Sequence, residues 1–440
     1  MRLSAVDRKL AERLQRFGGF RVTQVPGRLD HLRFGVVMRL PILVLALVAS
    51  VTEAAGTESV AVERLVAREI PGILPADGIG GAAVAVRIGG RTLFFNYRGA
   101  DTAQGRPITS DSLFNIASLR KLFEATLLAQ AVQQGELTLD DPIARHVVEL
   151  QHAGYMRDAT VGQLAAHTSG LSLPQDYDPW PDWGYTLPEF VRTLQAWTPD
   201  RNLSPGQEHV YTHAGFVLLQ LVLERRFAMP IGELLQQRLL RPLGLSSTVV
   251  PAAGAHGRAA LPPDLMQRAV QGYSPEGAPI GAPGDQQTYY DFPGTGQMFS
   301  TPRDLAVFLA AHLGELPGHQ ALQAAMKATQ QTRVFYSPRN AQALAWEVNY
   351  NFAPPIVEKN AGLNNTSGYI GMLPDHKLGI VILANRGSQH AAEMGRRILP
   401  ELARVLTASQ RPLPIPPPSS GGDAQPSPAT PQRLNEPVLP

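Results

Sequence analysis

The chain has 440 residues, 44% of them hydrophobic and 17% charged, with a formal net charge of +2 and no cysteine. That length exceeds one ordinary core, so one large domain or two closely packed ones are expected. The composition excludes a disordered chain and carries no nucleic-acid footprint, and without cysteine there is no disulfide, thiolate nucleophile or Cys-ligated metal.

The charge is unevenly placed. Residues 1–54 hold nine Lys/Arg and four acids, a net of +5, which leaves −3 for the rest of the chain. From Met38 the sequence offers Arg39 as a positive n-region, an apolar run from Leu40 to Val51, and a small-residue cleavage site at Thr52-Glu53-Ala54. This is the pattern of a secretory signal peptide, and the run is short for a membrane span. Translation is expected to start at Met38, and the product to be periplasmic or secreted. No cysteine follows the run, so no lipid anchor, and no stable membrane anchor after signal cleavage, is expected.

Residues 81–99 alternate apolar and polar around Gly89-Gly90, a hairpin signal. From Ser118, the residues Leu119, Leu122, Ala125, Leu128, Ala129 and Val132 follow a helical stripe that ends at Gly135. A turn follows at Thr138–Asp141. Residues 142–260 read mainly as helices, among them Ala214–Arg225 and Ile231–Arg241. Thr301-Pro302 caps a helix over 303–313. Leu344–Tyr350 reads as a strand, 366–374 and 377–385 as a hairpin across Asp375-His376, and 389–407 as a last helix. Residues 410–440 are dominated by Pro, Ser and Gly and read as a disordered tail.

This order predicts an α/β fold of the α+β type. An antiparallel sheet, made from both ends of the chain, is flanked by N- and C-terminal helices, with a mostly helical domain inserted. The expected division is a leader over 1–54, a discontinuous sheet domain over 56–112 and 289–407, a helical domain over 113–288, and a tail over 408–440.

Ser118 and Lys121 stand at i and i+3 of one helix, so they share a face and the amine can reach the hydroxyl. A serine where backbone N–H groups converge can stabilise an oxyanion, and a Ser–Lys pair is one way to activate a hydroxyl. The bland alternative is a helix-capping serine with a solvated lysine. Lys121 lies inside a mostly apolar run, where a charge needs a partner.

Longer phrases add to this pair. SLFNIASLRKLFEATLLAQAVQQGELTLDDPI (112–143), VGQLAAHTSGL (161–171), SPGQEHVYTHAGFVLLQLVLE (204–224), RPLGLSST (241–248), GQMFSTPRDLAVF (296–308) and VEKNAGLNNTSGYIGMLPDHKLGIVILAN (357–385) occur in this order. The chain thereby resembles the serine β-lactamase and penicillin-binding protein family, its class C branch in particular, over about residues 80–400. The resemblance implies a β-lactamase/transpeptidase-like fold and an acyl-enzyme mechanism. Ser118 is then the nucleophile, Lys121 its proton relay, Tyr211 the general base or a sharer of that role, and Lys359 a second cation that lowers the tyrosine's pKa. The backbone N–H groups of Ser118 and Gly362 would form the oxyanion hole. No cofactor or metal is implied. A small β-lactam, or a cell-wall peptide or ester, is the expected partner of a monomer. A D,D-peptidase or esterase on the same scaffold is the enzymatic alternative, and a non-catalytic binding protein the other.

Two motifs depart from the family pattern. His213 stands where an asparagine is usual, with one hydrogen bond to offer and the option of a positive charge. Asn360-Ala361 follow Lys359 where threonine and glycine are usual, which alters the strand edge where substrate docks. A glutamine common in the family is not clearly matched, Gln175 being one residue out of register. His209 and His213 have a spacing that suits a metal on a helix, but the segment reads as a loop entering a helix and lacks an acidic third ligand. His167 reads as a turn-fixing residue.

Overall fold

The computed structural model describes residues 58–101, 105–171, 186–199, 204–253, 259–284, 297–387 and 390–409. The leader's apolar run, Gln175 and residues 410–440 lie outside these segments. No helix among the described residues is long and apolar enough to cross a membrane.

Both hairpins form as their alternation requires. Strands β1 (Ala82–Ile88) and β2 (Arg91–Tyr97) pair around Gly89 and Gly90, both at positive φ, the left-handed region a two-residue turn needs. On the other side of the helical insertion come β3 (Val334–Ser337), β4 (Asn340–Gln342), β5 (Glu347–Asn349), β6 (Ile356–Leu363), β7 (Thr366–Leu373) and β8 (Leu378–Ala384). The eight strands form one antiparallel sheet in the order β2-β1-β8-β7-β6-β5-β4-β3. The β1–β8 pairing, from Ala82↔Ala384 to Arg87↔Gly379, joins the two ends of the chain.

Side chains alternate across each strand, and both faces are covered. Val84, Val86, Ile380 and Ile382 face one core, with Val62 and Val66 of α1 (58–69) and Ile398 and Leu402 of α6 (Ala391–Ser409). Ala83, Ala85, Val381 and Leu383 face the other, which holds α2 (Arg120–Gln133), α3 (His213–Phe227), α4 (Pro302–His312) and α5 (Gln320–Thr329). Gly395 lets α6 lie against β7, since a Cβ there would sit 2.0 Å from the Tyr369 ring. The Tyr369 hydroxyl donates to Glu358 Oε2 at 2.7 Å, and Arg396 of α6 donates to both Glu358 oxygens, so the helix and β6 are tied behind the sheet.

Among the described residues the helical expectation for 142–260 is met by α3 and four shorter helices, Val161–Ala165, Leu187–Ala196, Ile231–Leu235 and Arg241–Leu243; several intervening turns are 3-10. The helix expected over Ile231–Arg241 passes through a π segment at Gln236–Leu240. Only Glu347–Asn349 of the strand expected over Leu344–Tyr350 pairs, because Ala345 has φ +60° and turns the chain. Strands β3 and β4 form where the sequence pattern predicts none.

His312 of α4 is buried between Phe308 and Trp346, with ring centroids at 4.5 and 5.0 Å. Burial pushes its pKa down to about 3, so it folds neutral. The unfolded chain takes up its proton near 6.5, so stability from this group is complete above that pH and falls as pH drops toward 3. The slope is about 1.4 kcal/mol per pH unit. His312→Phe keeps the ring stack, so urea unfolding between pH 7 and 4 will show a stability curve flatter by about 1 kcal/mol per pH unit. An unchanged slope would mean that His312 is protonated in the folded protein.

Candidate active site

Three contacts fix the loop before α2. Phe114–Asn115 pairs antiparallel with Phe299–Ser300, Ile116 N–H donates to Met298 O at 2.9 Å, and Asn115 Oδ1 accepts the Ala117 N–H at 2.9 Å. Ala117 is held at φ +46°, a conformation costing a non-glycine residue about 1 kcal/mol. A 3-10 turn, Ala117–Leu119, then leads into α2 at Arg120. Ser118 thus sits in the 3-10 turn just before α2 rather than on the same α-helix as Lys121, which lies in the first turn of α2.

Lys121 is 1% exposed, and its Nζ lies 3.3 Å from Ser118 Oγ. The same Nζ sits 5.4 Å from the Tyr211 ring centroid and 5.5 Å from that of Phe216. One residue earlier, Arg120 turns the other way and pairs with buried Glu124 at 2.7 Å, donating also to Gln220 Oε1 of α3 and to Gln297 O. These bonds satisfy a guanidinium in the core and lock α2 against α3.

Tyr211 lies two residues before α3, whose cap is the Thr212 side chain. Its hydroxyl donates to Ser118 Oγ at 3.0 Å, while its ring is partly exposed along the cleft. Burial at the hydroxyl end pushes the phenol pKa up, but the cations of Lys121 and Lys359 outweigh it, and the net shift is down. Lys359 Nζ stands 4.6 Å from the Tyr211 ring centroid. It also donates to Glu347 Oε1 at 2.8 Å, a part-buried ion pair between neighbouring strands β6 and β5. Burial disfavours the Lys359 charge, yet Tyr211 and Glu347 together raise its pKa. Glu347 is the functional neighbour that sequence reasoning missed. Its signal was available: a lone acid inside the apolar run ALAWEVNY, the same argument that singled out Lys121.

His213, first residue of α3, brings Nδ1 to 3.3 Å from Lys121 Nζ. The positive charge considered for it does not arise: burial, then Lys121 and Lys359, drive its pKa down to about 2. It is a neutral acceptor for the lysine. His167, at φ +54° and fully buried, accepts the Thr212 N–H at Nδ1 (3.2 Å) and lays its ring 4.4 Å from that of Tyr211. It fixes a turn and also backs the tyrosine. His209 bonds Gln342 Oε1 at 3.1 Å through Nε2 and stacks on Tyr336. Among the described residues, no group of three or more His, Cys, Asp or Glu is placed to hold a metal.

These side chains surround a cleft of about 410 Å³ lined by Ser118, His209, Tyr211, His213, Tyr336, Glu347, Asn360, Ala361 and Gly362. Strand β6 pairs with β5 only over Ile356–Glu358, whereas its pairing with β7 runs on to Leu363. The stretch 359–363 is therefore open toward the cleft beside Ser118, an edge on which an extended substrate can lie. A hydroxyl between a phenol with a lowered pKa and a lysine, facing an open strand edge, is an arrangement for nucleophilic acyl transfer.

A family model described as Beta-lactamase matches residues 61–403. A beta-lactamase of Yersinia enterocolitica is 27% identical over 357 residues, covering 71% of this chain and 84% of its own. A beta-lactamase/D-alanine carboxypeptidase structure from Pseudomonas syringae superposes with a TM-score of 0.66 at 26% identity, covering 80% of this chain and 100% of its own. A class C beta-lactamase in complex with cefoxitin gives a TM-score of 0.66 at 25% identity, covering 80% and 99%.

Proposed function

The chain belongs to the beta-lactamase family, and on that premise we propose that it is an exported bacterial serine hydrolase of class C type, opening β-lactam amides through an acyl-Ser118 intermediate. The observation that carries this reading is the placement of Ser118 Oγ within reach of both Lys121 Nζ and the Tyr211 hydroxyl.

In the proposed reaction Tyr211, as phenolate, takes the Ser118 proton while Oγ bonds to the carbonyl carbon. Lys121 holds Oγ and, with Lys359, keeps the phenolate favourable. The oxyanion sits between the N–H groups of Ser118 and Gly362. Tyr211 then gives its proton to the departing nitrogen, the amide C–N bond breaks, and the acyl group stays on Ser118. Water gives a proton to Tyr211 as it attacks the ester carbonyl, the C–Oγ bond breaks, and Oγ takes that proton from Tyr211, which frees Ser118 and the acid product. His213 steadies Lys121, and Asn360-Ala361 offers the edge for the substrate. The division into a sheet domain (56–112 and 289–407), helical domain (113–288), leader (1–54) and tail (408–440) belongs to the same reading, as do export from a leader starting at Met38 and a monomeric state. The sheet strands coming from both sides of the helical segment support the division.

A D,D-peptidase is the second reading, favoured by the D-alanine carboxypeptidase named in the Pseudomonas syringae relative. Steady-state kinetics on a chromogenic cephalosporin, a penicillin, a carbapenem, a peptide ending in D-Ala-D-Ala and a short-chain ester separate the readings. Turnover of the lactams is expected. Turnover of peptide or ester alone moves the assignment to the relative, and no turnover with no acyl adduct moves it to a binding protein.

A further inference from the structure

The geometry points to Tyr336 as a specificity residue: its ring, backed by His209, forms a stacking shelf on the leaving-group side of the cleft for substrates that carry a planar, aromatic or heteroaromatic group there. The inference rests on the serine-hydrolase reading above and names the substrate class within it.

The first observation is a bulge. Strand β3 pairs with β4 through Ser337↔Asn340 and then Phe335↔Ala341, so Tyr336 is the extra residue that faces no partner. Such a bulge costs ladder pairing and re-aims one side chain, and bulges gather beside active sites. Here neighbouring Phe335 packs on Tyr350 with ring centroids 5.4 Å apart, while Tyr336 turns to line the Ser118 cleft.

The second observation is the backing. The His209 and Tyr336 rings lie 4.4 Å apart at 19°, nearly parallel. Gln342 Oε1 on β4 holds the imidazole at 3.1 Å, and burial keeps its pKa below the ordinary value, so it stacks as a neutral ring. Tyr336 nonetheless remains 42% exposed. A large ring, fixed from behind and left open in a substrate cleft, offers a π-face to a ligand.

The side of the cleft follows from proton transfer. Tyr211 must face the departing atom to protonate it. His209 is two residues from Tyr211, its ring is 6.0 Å from that of His167, and the His167 ring lies against Tyr211. The shelf therefore flanks the departing half of the substrate.

The experiment uses two cephalosporins with one acyl side chain, one bearing a heteroarylthio group and the other an acetoxy group on the dihydrothiazine side. Both are assayed with the wild-type full chain, Tyr336→Leu and Tyr336→Phe. For the heteroaryl substrate kcat/KM is expected to fall about 3- to 10-fold in Tyr336→Leu, the range one ring contact supplies. The acetoxy substrate should change less than twofold, and Tyr336→Phe should behave as wild type on both. Equal losses on the two substrates, or none, overturn the shelf while leaving the hydrolase reading intact. No wild-type turnover of either removes both.

Discussion

Ser118→Ala will lose essentially all turnover, by about 10⁴-fold or more in kcat, while the protein keeps its fold. The loss is large because Ser118 Oγ is the only side-chain hydroxyl bonded to both Lys121 Nζ and the Tyr211 hydroxyl among the described residues. No neighbour can take its place, and water would have to be activated where Oγ now sits. The fold should survive because Ser118 lies in a turn fixed by the Ile116 and Ala117 backbone N–H groups rather than by its own side chain. Stopped-flow quench and intact mass measurement decide the matter. Wild type should gain the mass of the opened lactam during turnover and Ser118→Ala none. An adduct persisting in Ser118→Ala would put the nucleophile elsewhere.

The hydroxyl was readable because its partner is local. Three residues along a helix put Lys121 beside Ser118 whatever the rest of the chain does. The two hairpins were readable for the same reason, since alternation and turn residues are short-range signals. Tyr211 and Lys359 were not readable from spacing, lying 93 and 241 positions from Ser118; only the order of longer phrases pointed to them. Glu347 needed the β5–β6 register, in which it stands opposite Glu358, next to Lys359. Tyr336 needed a bulge, which one strand's sequence does not encode by itself. The neutrality of His213 was out of reach for another reason. A histidine in a sequence carries no statement of its burial, and burial beside Lys121 and Lys359 decides its charge.

The electrostatics of the site are a balance of few groups. Lys121 and Lys359 are buried cations, each 1% exposed, and Glu347 answers one of them. If His213 were cationic it would stand 3.3 Å from Lys121 Nζ and repel it. Its neutral form instead gives Lys121 an acceptor and leaves both lysine charges to act on Tyr211. An asparagine at 213 would offer Lys121 an acceptor oxygen in the same way, so the departure from the family pattern changes shape more than charge.

Tyr211→Phe is expected to lower kcat/KM by about 10²- to 10⁴-fold, the worth of a positioned general base. The phenylalanine keeps the ring against His167 and loses only the hydroxyl bonded to Ser118. The pH profile gives the sharper reading. Burial alone would lift the phenol above its ordinary value near 10, and the two lysines bring it below. In the proposed mechanism the reactive form is the phenolate, so wild-type kcat/KM should rise with pH along a limb whose midpoint lies below 10. Tyr211→Phe should lose that ascending limb, since among the described residues the other side chain bonded to Ser118 Oγ is Lys121, whose ammonium has no lone pair to accept the proton. Lys359→Met with Glu347→Gln, which removes the cation without leaving a half-buried carboxylate unpaired, should keep the limb and move it to higher pH. A profile that rises in Tyr211→Phe as in wild type would assign the proton transfer to Lys121, leaving the tyrosine as a positioning group.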